Sequence, residues 1–382
     1  MNESYSVGEK HGAFTLLVDG KRAFPEIIRA IDAAKRSLLI NMFIWRDDEI
    51  GNRVAGAVLD AANRGVRVEI SVDRYGVVLE KSEEAKRSFF HKKQSLAERF
   101  KIRALEIMFP MPGAPKHAED TESELYRAIL SHPNIKVSAD EFKADHSKFY
   151  VIDDEVLILG GVNIEDKENG KDMQGREYGD YMVKIVGEAY VKAFFARLER
   201  GEPSGLDCEF GVNVKRPQRR FEMEEKYLSM IRSAKRELHI TMAYFSPLRH
   251  FLDEIVAAHE RGVAVTVMIP ERANYQNDSN YKTVKKLMKR TKNGIRLLLS
   301  PKMLHTKLVV TEQTASFGST NITKKAFAQL SELNLFVERE PTPFVTSLID
   351  AMENEYALAR QVEEAGELHY RVFRAALEGL LV

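Results

Sequence analysis

The chain has 382 residues, and its 57 basic residues equal its 57 acidic residues, so the formal net charge is zero. This balance argues against a protein devoted to nucleic acid, because such proteins usually carry a basic surplus. The one cysteine, Cys208, excludes a disulfide bond within the chain. No apolar run has the length of a membrane span or the form of a signal peptide, so we expect a cytoplasmic protein that is at most peripheral at the membrane.

The first half alternates strands with helices. Its strands are rich in β-branched and aromatic residues, and its helices carry apolar residues along one face. The predicted elements are a strand at 14–18 with a tight turn at 19–20, a helix at 23–36, a strand at 37–45, a helix at 50–64 and a strand at 66–73.

The second half repeats this order with a helix at 221–236, a strand at 237–245, a helix at 251–261 and a strand at 263–270. The first helix of each half ends in Ala-Lys-Arg, at 34–36 and 234–236. The alternation predicts two α/β halves, each with a mixed, mostly parallel sheet flanked by helices. We place the halves at 1–200 and 201–343 and a helical tail at 344–382.

The halves differ in one segment, at about 74–145, which has no counterpart of equal length in the second half. It contains a charged helix-like stretch at 80–103, a Pro-rich loop at 109–115 and a second predicted helix at 122–130. An insertion of this kind is either a lid or channel wall for an active site or a packed surface subdomain. The sequence leaves both interpretations open.

One short motif occurs once in each half. Each copy reads His-x-Lys, reaches a carboxylate after four more residues, and is followed by a Gly-x-x-Asn turn. Residues i and i+2 of a strand project from the same face, so the imidazole and the ammonium group of each copy point the same way. The candidate catalytic residues are His146, Lys148, Asp153 and Asn163 in the first copy and His305, Lys307, Glu312 and Asn321 in the second.

These residue types suit phosphodiester chemistry. A neutral imidazole can attack phosphorus, and a protonated imidazole can give a proton to the leaving oxygen. Ammonium and amide groups can stabilise the phosphate oxygens, so we predict that the reaction needs no metal and no other cofactor. A single His-x-Lys is more often an ordinary strand histidine, but two copies with the same turn weaken that interpretation.

The two motifs closely resemble the signature of the phospholipase D superfamily, H-x-K-x4-D followed by G-[GS]-x-N in each half of the chain. The first copy matches throughout, whereas Glu312 replaces the family's Asp and lies one residue nearer to Gly318 than usual. The segment 43–51, Phe-Ile-Trp-Arg-Asp-Asp-Glu-Ile-Gly, resembles the cardiolipin synthase branch. The resemblance implies two homologous halves, related by a pseudo-two-fold axis, that share one active site.

The same resemblance implies an acidic residue that orients each catalytic histidine. Asp180 follows Asn163, Glu332 follows Asn321, and each stands just before an apolar strand. A carboxylate fixes the tautomer of an imidazole and stabilises its protonated form. Asp180 and Glu332 are therefore the candidate orienting carboxylates, although either is also compatible with a solvated charge at the start of a strand.

The reaction implied by the resemblance is phosphatidyl transfer through a phosphohistidine, with a phospholipid such as phosphatidylglycerol as donor. A second phosphatidylglycerol as acceptor yields cardiolipin and water yields phosphatidic acid, and the sequence leaves the acceptor open. The alternative is a phospholipase D-like nuclease or nucleic-acid phosphodiesterase, and a non-catalytic lipid-binding protein is a third interpretation. We predict His146 as the nucleophile and His305 as the proton donor, because the first motif is the intact one.

A basic helix is predicted at 281–296. Its cationic face suits an anionic membrane surface or a phosphodiester backbone, although most such faces are only solvated. We expect phospholipid as substrate and an anionic membrane as a peripheral partner, with nucleic acid only under the alternative. The candidate residues for binding phosphate or a lipid surface are Lys282, Lys285, Lys286, Lys289 and Arg290.

Overall fold

The computed structural model describes residues 10–76, 88–90, 96–97, 99–100, 102–103, 123–139, 141–172 and 174–381. Of the predicted insertion, the charged stretch at 80–103 lies mostly outside these residues and the Pro-rich loop at 109–115 lies entirely outside them. The elements of the first half are β1 (Phe14–Val18), α1 (Asp19–Asp32), β2 (Ser37–Met42), α2 (Glu49–Asn63), β3 (Arg67–Val72), α3 (Glu124–Ser131), β4 (Ile135–Ser138), β5 (Phe149–Ile152), β6 (Val156–Gly160), a 3-10 turn (Asp166–Asn169), β7 (Tyr178–Gly179), β8 (Tyr181–Val186) and α4 (Glu188–Arg200).

The second half follows the same plan. Its elements are β9 (Cys208–Val214), β10 (Arg220–Phe221), α5 (Met223–Ser233), β11 (Glu237–Met242), β12 (Phe245–Ser246), α6 (Arg249–Glu260), β13 (Ala264–Pro270), α7 (Asn277–Arg290), β14 (Arg296–Ser300), β15 (Met303–Leu304), β16 (Lys307–Thr311), β17 (Thr314–Gly318), β18 (Ile322–Thr323), α8 (Lys324–Ala328), β19 (Glu332–Glu338), α9 (Pro343–Leu358), β20 (Arg360–Val362), a 3-10 turn (Ala365–Glu367) and α10 (Val372–Leu381).

The two large sheets have the same strand order. The first runs β1-β8-β6-β5-β2-β3-β4, and the second runs β9-β19-β17-β16-β11-β13-β14 with β10 and β20 added at its edges. Each motif strand, β5 or β16, therefore occupies the same place in its own sheet. The prediction of two α/β halves built on one plan is confirmed.

The prediction that each sheet is mostly parallel is wrong. Within the two large sheets, the described parallel pairs are β2-β3, β3-β4, β11-β13 and β13-β14, and the other pairs are antiparallel. The motif strands turn straight back through tight hairpins, β5 into β6 and β16 into β17, and so pair antiparallel. Strands that follow one another along the chain can be parallel neighbours only across a long crossover connection, usually a helix, and each half has few of those.

Three hydrophobic clusters hold the layers together. One lies between the first sheet and α1 and α2, and a second lies between the second sheet and its helices α5, α6 and α7. The third contains side chains from both sheets, among them Phe149 and Leu159 of the first and Phe317 and Leu335 of the second. The sheets thus share a core, and this core fixes the two motif strands relative to each other.

Part of the predicted insertion is a regular element of the repeat. The helix predicted at 122–130 is α3, and it leads into β4, which extends the first sheet beside β3. The second half has the same arrangement, in which α7 leads into β14 beside β13. The extra length of the first half therefore lies before α3 and not across the whole of 74–145.

The tail at 344–382 was predicted to be helical throughout. The structure differs, because the strand β20 interrupts it. This short strand pairs antiparallel with β14 at the edge of the second sheet. An edge strand with unpaired backbone groups tends to pair with another chain, and β20 covers that edge here. The basic helix is also shorter than predicted, since α7 ends at Arg290 and β14 begins at Arg296.

Candidate active site

The backbone of each motif histidine is held by the opposite half of the chain. The His146 amide donates to the carbonyl of Ser331 at 2.8 Å, and the His305 amide donates to the carbonyl of Gly179 at 2.8 Å. A short parallel pairing between β7 and β15 precedes the second contact. These crossings bring the two His-x-Lys segments to one place between the halves.

The candidate orienting carboxylates also cross between the halves. Oε2 of Glu332 lies 3.1 Å from Nδ1 of His146, and Oδ2 of Asp180 lies 2.9 Å from Nδ1 of His305. All four side chains are buried. Each half therefore supplies a histidine whose carboxylate partner comes from the other half, so neither half contains a complete pair.

Small residues next to the motif asparagines make room for these carboxylates. A Cβ atom at Gly161 would lie 2.2 Å from Oδ2 of Asp180, so the carboxyl group would have to leave its position. The matching residue of the second half is Ser319, whose hydroxyl donates to Oε2 of Glu332 at 2.5 Å. In the first half, Gly161 thus leaves space for the carboxyl group of Asp180. In the second half, Ser319 instead forms a hydrogen bond with the carboxyl group of Glu332.

The motif lysines are fully buried beside the histidines. Nζ of Lys148 donates to the carbonyl of His146 at 2.5 Å, and Nζ of Lys307 donates to the carbonyl of His305. Burial, reinforced by the charge of Lys307, lowers the pKa of Lys148 to about 7, and burial also lowers the pKa of Lys307. A bound phosphate anion would stabilise both ammonium groups, so these lysines suit an anionic ligand.

Both motif asparagines line the same cleft as the two histidines. The cleft measures about 1060 Å³ when the space open to solvent at its mouth is included. Neither Oδ1 of Asn163 nor Oδ1 of Asn321 has a hydrogen-bond partner in the part of the chain that the structure describes. The remaining walls are largely aromatic and apolar; they include Phe43, Ile44, Tyr75, Tyr178, Tyr244, Tyr275, Ala326 and Leu330.

Burial sets the protonation of the two histidine pairs. Burial, and then the nearby motif lysines, lower the pKa of His146 and of His305 well below the usual value. Burial raises the pKa of Asp180 to about 7 and that of Glu332 to about 8. Each pair therefore keeps a proton near neutral pH, and a bound anion that offsets the lysine charges would favour its transfer to the imidazole.

The structure does not bring Asp153 and Glu312 to the cleft. The Asp153 carboxylate accepts hydrogen bonds from the amides of 35–37, after α1, at 2.6–2.9 Å. The Glu312 carboxylate binds the equivalent amides of 235–237, after α5, at 2.8–3.3 Å. Their proposed place among the catalytic residues is therefore wrong, and both carboxylates fasten the Ala-Lys-Arg segments to the hairpins of the motif strands.

The five predicted surface cations lie on α7, away from the cleft. Lys282, Lys286 and Lys289 are exposed. Lys285 donates to the carbonyl of Leu368 at 2.7 Å, and Arg290 pairs with Asp253 at 2.7 Å, so these two already have partners within the protein. The first three remain candidates for binding an anionic surface.

Several charged residues at the site were not predicted from the sequence. Glu165 is buried and accepts from Nε of Arg46 at 2.6 Å, and Nζ of Lys167 lies 3.2 Å from the same carboxylate oxygen. Oε1 of Glu168 lies 3.3 Å from Nδ1 of His305. The sequence feature that could have indicated these residues is the run of charges directly after Asn163, but it lies in a turn, which apolar periodicity does not reveal.

Lys325 is a further charged residue at the site that was not predicted. Its ammonium group donates to the Tyr75 hydroxyl at 2.7 Å.

One group of three residues in the described ranges has the spacing of metal ligands. The possible ligand atoms of Glu168, Asp180 and His305 all lie within 4.8 Å of one another. Nζ of Lys307 is 3.8 Å from Oδ2 of Asp180, so a cation would share that oxygen with an ammonium group. This positive surrounding suits a shared proton better than a divalent ion, and metal independence stays a prediction.

The fold and the site define a phospholipase D-like protein. Residues 27–199 and 227–356 match the family model described as cardiolipin synthase, PLD-like domain, and the chain belongs to this family. The cardiolipin synthase of Halalkalibacterium halodurans is 26% identical over 384 residues, which cover 94% of this chain and 68% of that protein. That of Staphylococcus aureus strain Mu50 is 26% identical over 343 residues, covering 84% and 63%.

The present chain thus spans about two thirds of the length of these relatives. The structure of phosphatidylserine synthase from Haemophilus influenzae Rd KW20 aligns over 98% of this chain and 93% of that chain, with a TM-score of 0.68. Its sequence identity of 12% limits the likeness to the fold. The family and its relatives support phospholipid phosphatidyl transfer as the class of activity.

Proposed function

We propose that this protein transfers phosphatidyl groups between alcohols by way of a phosphohistidine. The observation that carries the proposal is the crossed pair of histidines, His146 with Glu332 and His305 with Asp180, facing one cleft. One Nε2 forms a bond to phosphorus while the P–O bond to the headgroup alcohol breaks, and the other imidazole protonates that alcohol. An acceptor alcohol then reverses these steps.

During this reaction, Lys148 and Lys307 balance the negative charge of the phosphate, and the amides of Asn163 and Asn321 bind its oxygens. The ammonium groups supply the positive charge that a metal supplies in other phosphoryl-transfer enzymes. We propose phosphatidylglycerol as donor and a second phosphatidylglycerol or water as acceptor, by analogy with the cardiolipin synthases that the chain resembles. The apolar and aromatic walls of the cleft suit a lipid substrate.

Membrane contact is proposed through α7 and α10. In the first turn of α10, Val372 is 72% exposed and Phe373 is 83% exposed. This helix packs on α7, where Lys282 and Lys286 line a groove together with residues of α10. Apolar residues beside cations are typical of proteins that bind anionic lipid surfaces. Within the described ranges no helix is both long and apolar enough to cross a bilayer.

One experiment tests the substrate class. The purified protein is incubated with vesicles of phosphatidylglycerol and phosphatidylethanolamine, and separately with single- and double-stranded DNA, each with and without EDTA. We expect cardiolipin or phosphatidic acid from phosphatidylglycerol, no DNA cleavage and no effect of EDTA. Cleavage of DNA alone would establish the nuclease alternative, and activity lost to EDTA and restored by a divalent ion would refute the metal-independent scheme.

A further inference from the structure

The two histidines have different surroundings on their Nδ1 side. Nδ1 of His146 lies 3.1 Å from the carbonyl oxygen of Ser319 as well as 3.1 Å from Glu332. A carbonyl can only accept, so this nitrogen must carry the proton, and Nε2 of neutral His146 keeps its lone pair. That is the form of imidazole that attacks phosphorus.

Nδ1 of His305, in contrast, faces two carboxyl groups. Oδ2 of Asp180 is 2.9 Å away and Oε1 of Glu168 is 3.3 Å away. A carboxyl group accepts a proton when it is ionised and donates one when it is protonated. Nε2 of His305 can therefore carry a proton while a carboxyl group serves Nδ1, which is the arrangement of a proton donor.

Glu168 has no counterpart in the second half. It stands five residues after Asn163, and the residue five after Asn321 is Ala326. Both residues line the cleft. The Glu168 side chain is buried, and Oε1 forms no hydrogen bond with any described residue. The sequence position that carries a second carboxyl group in the first half thus carries a methyl group in the second half.

The backbone around Glu168 is fixed by close packing. It lies in the 3-10 turn Asp166–Asn169, and a Cβ atom at Gly20 in α1 would lie 2.2 Å from the Glu168 carbonyl oxygen. The charged groups that act on Glu168 are Glu165, Asp180, Lys167 and Lys307. Two carboxyl groups as close as Glu168 and Asp180 do not both ionise readily, so they retain a proton between them.

We propose that Glu168 is a positioning residue that, with Asp180, stores the acid proton of His305 and so makes His305 the acid and base and His146 the nucleophile. The proposal deepens the proposed transfer reaction and rests on it. In the first step the N–P bond forms at His146, the P–O bond breaks, and the proton leaves Nε2 of His305 for the alkoxide while the carboxyl pair keeps Nδ1 protonated. In the second step the acceptor hydroxyl gives its proton to Nε2 of His305, its oxygen forms a bond to phosphorus, and the N–P bond to His146 breaks.

The test compares two leaving groups in Glu168→Gln. Phosphatidylglycerol releases an alkoxide that needs a proton, whereas a nitrophenyl phosphodiester does not. General acid catalysis typically raises a reaction rate by about 100-fold or more. We therefore expect Glu168→Gln to lower kcat on phosphatidylglycerol by about tenfold. The initial release of nitrophenol should change less than twofold. The descending alkaline limb of the pH profile should move to lower pH, because the variant holds the acid proton less tightly.

Two further variants separate positioning from folding. Glu168→Asp keeps a carboxyl group and should restore part of the rate on phosphatidylglycerol. Glu165→Gln alters the neighbouring buried carboxylate, which faces Arg46 and Lys167, and should affect both substrates in equal proportion. Equal losses on both substrates in Glu168→Gln, or an unmoved pH profile, would overturn the proposal. A stoichiometric metal ion in the purified protein would also overturn it, by making Glu168 a ligand.

The wild-type protein distinguishes this proposal from the one on which it rests. If the wild type converts neither phosphatidylglycerol nor the nitrophenyl diester, the proposed transfer reaction fails. If the wild type converts both substrates and Glu168→Gln has the same rates and pH profile, only the proposed role of Glu168 is refuted.

Discussion

At the scale of single residues, the site joins chemically similar groups in unlike surroundings. Each histidine has a buried carboxyl partner from the other half, but Ser319 and Glu332 surround one, and Asp180 and Glu168 surround the other. A symmetric plan thus yields two histidines with different protonation preferences. Two opposite roles in one reaction require such a difference.

The first prediction separates those roles by substitution. With His305→Ala, a nitrophenyl phosphodiester should still form a covalent adduct on His146, and the adduct should accumulate because the second step lacks its base. With His146→Ala no adduct should form on any substrate. Rapid quenching followed by mass spectrometry of the peptides measures both, and phosphorus on His305 in the wild type would reverse the assignment.

The second prediction follows from the buried carboxyl group of Glu332. Burial raises the pKa of Glu332 from 4.5 to about 8. Between these pH values the native protein holds a proton that the unfolded chain has released, so the free energy of unfolding falls as pH rises. Gln has no titrating carboxyl group, so in Glu332→Gln this decrease in the free energy of unfolding is absent.

Relative to the wild type, the Glu332→Gln protein should therefore become more stable by up to about 4 kcal/mol on going from pH 5 to pH 8, since a full proton difference is worth about 1.4 kcal/mol per pH unit. Its transfer activity should fall. Urea unfolding of both proteins at the two pH values measures the change. A difference in stability that is the same at pH 5 and pH 8 would contradict the prediction.

At the scale of elements, the motif carboxylates bind backbone amides that follow α1 and α5, away from the cleft. Partial burial acts to raise the pKa of Asp153, but hydrogen bonds from the amides of Ser37, Lys35 and Arg36 outweigh it and lower the pKa. Glu312 receives the same kind of contact in the second half. Its longer side chain still reaches the amides across the tighter turn, so the irregular second motif keeps its structural function.

The third prediction tests this structural role. Asp153→Ala should lower the free energy of unfolding by about 1–2 kcal/mol, as loss of a capping carboxylate does elsewhere. The activity per folded molecule should stay within about twofold of the wild type at low temperature, because Asp153 does not reach the cleft. Thermal unfolding and kcat are measured together. A large loss of kcat in a fully folded protein would show that Asp153 contributes to catalysis and would contradict the prediction.

The fourth prediction concerns the surface formed by α7 and α10. Phe373→Ser and the pair Lys282→Glu and Lys286→Glu should each reduce flotation with vesicles that contain phosphatidylglycerol. Each cation near an anionic surface contributes about 1 kcal/mol, so the charge reversal should act most strongly at low salt. Leu206→Ser, which changes an exposed apolar residue in the linker between the halves, is the matched control. Equal flotation of all variants would refute this surface.

At the scale of the whole molecule, the chain builds one site from two halves. His146 and His305 are both held by backbone carbonyls and carboxyl groups of the opposite half. The core between the sheets contains residues of both halves, so the relative position of the motifs depends on the intact chain. A single chain supplies every group that the proposed reaction requires.

The fifth prediction follows from this completeness. A mixture of the His146→Ala and His305→Ala proteins should be no more active than the average of the two alone, since each chain contains one defective site. Initial rates at several protein concentrations measure this. A rise of activity on mixing would show that chains exchange halves and that the site forms between subunits.

The sequence by itself determined the local features of this protein. Periodicity predicted most of the helices and strands, and the two motifs predicted which histidines, lysines and asparagines meet. These features could be predicted because each pattern is formed by residues that are close together in the sequence. The family resemblance, together with spacing, also indicated Asp180 and Glu332 as partners of the histidines. The sequence did not reveal which carboxylate serves which histidine, and that choice was decided by the tertiary structure.

Only the tertiary structure decided pairings between distant residues. The crossed contacts join residues 125 and 186 positions apart, and no local pattern encodes such a choice. The same holds for the antiparallel pairing of β5 with β2 and of β16 with β11, for β20 at the sheet edge and for Glu168 beside His305. A charged residue in a turn looks the same in sequence whether it is solvated or buried. Its environment arises only when the two halves pack together and exclude water from their common cleft.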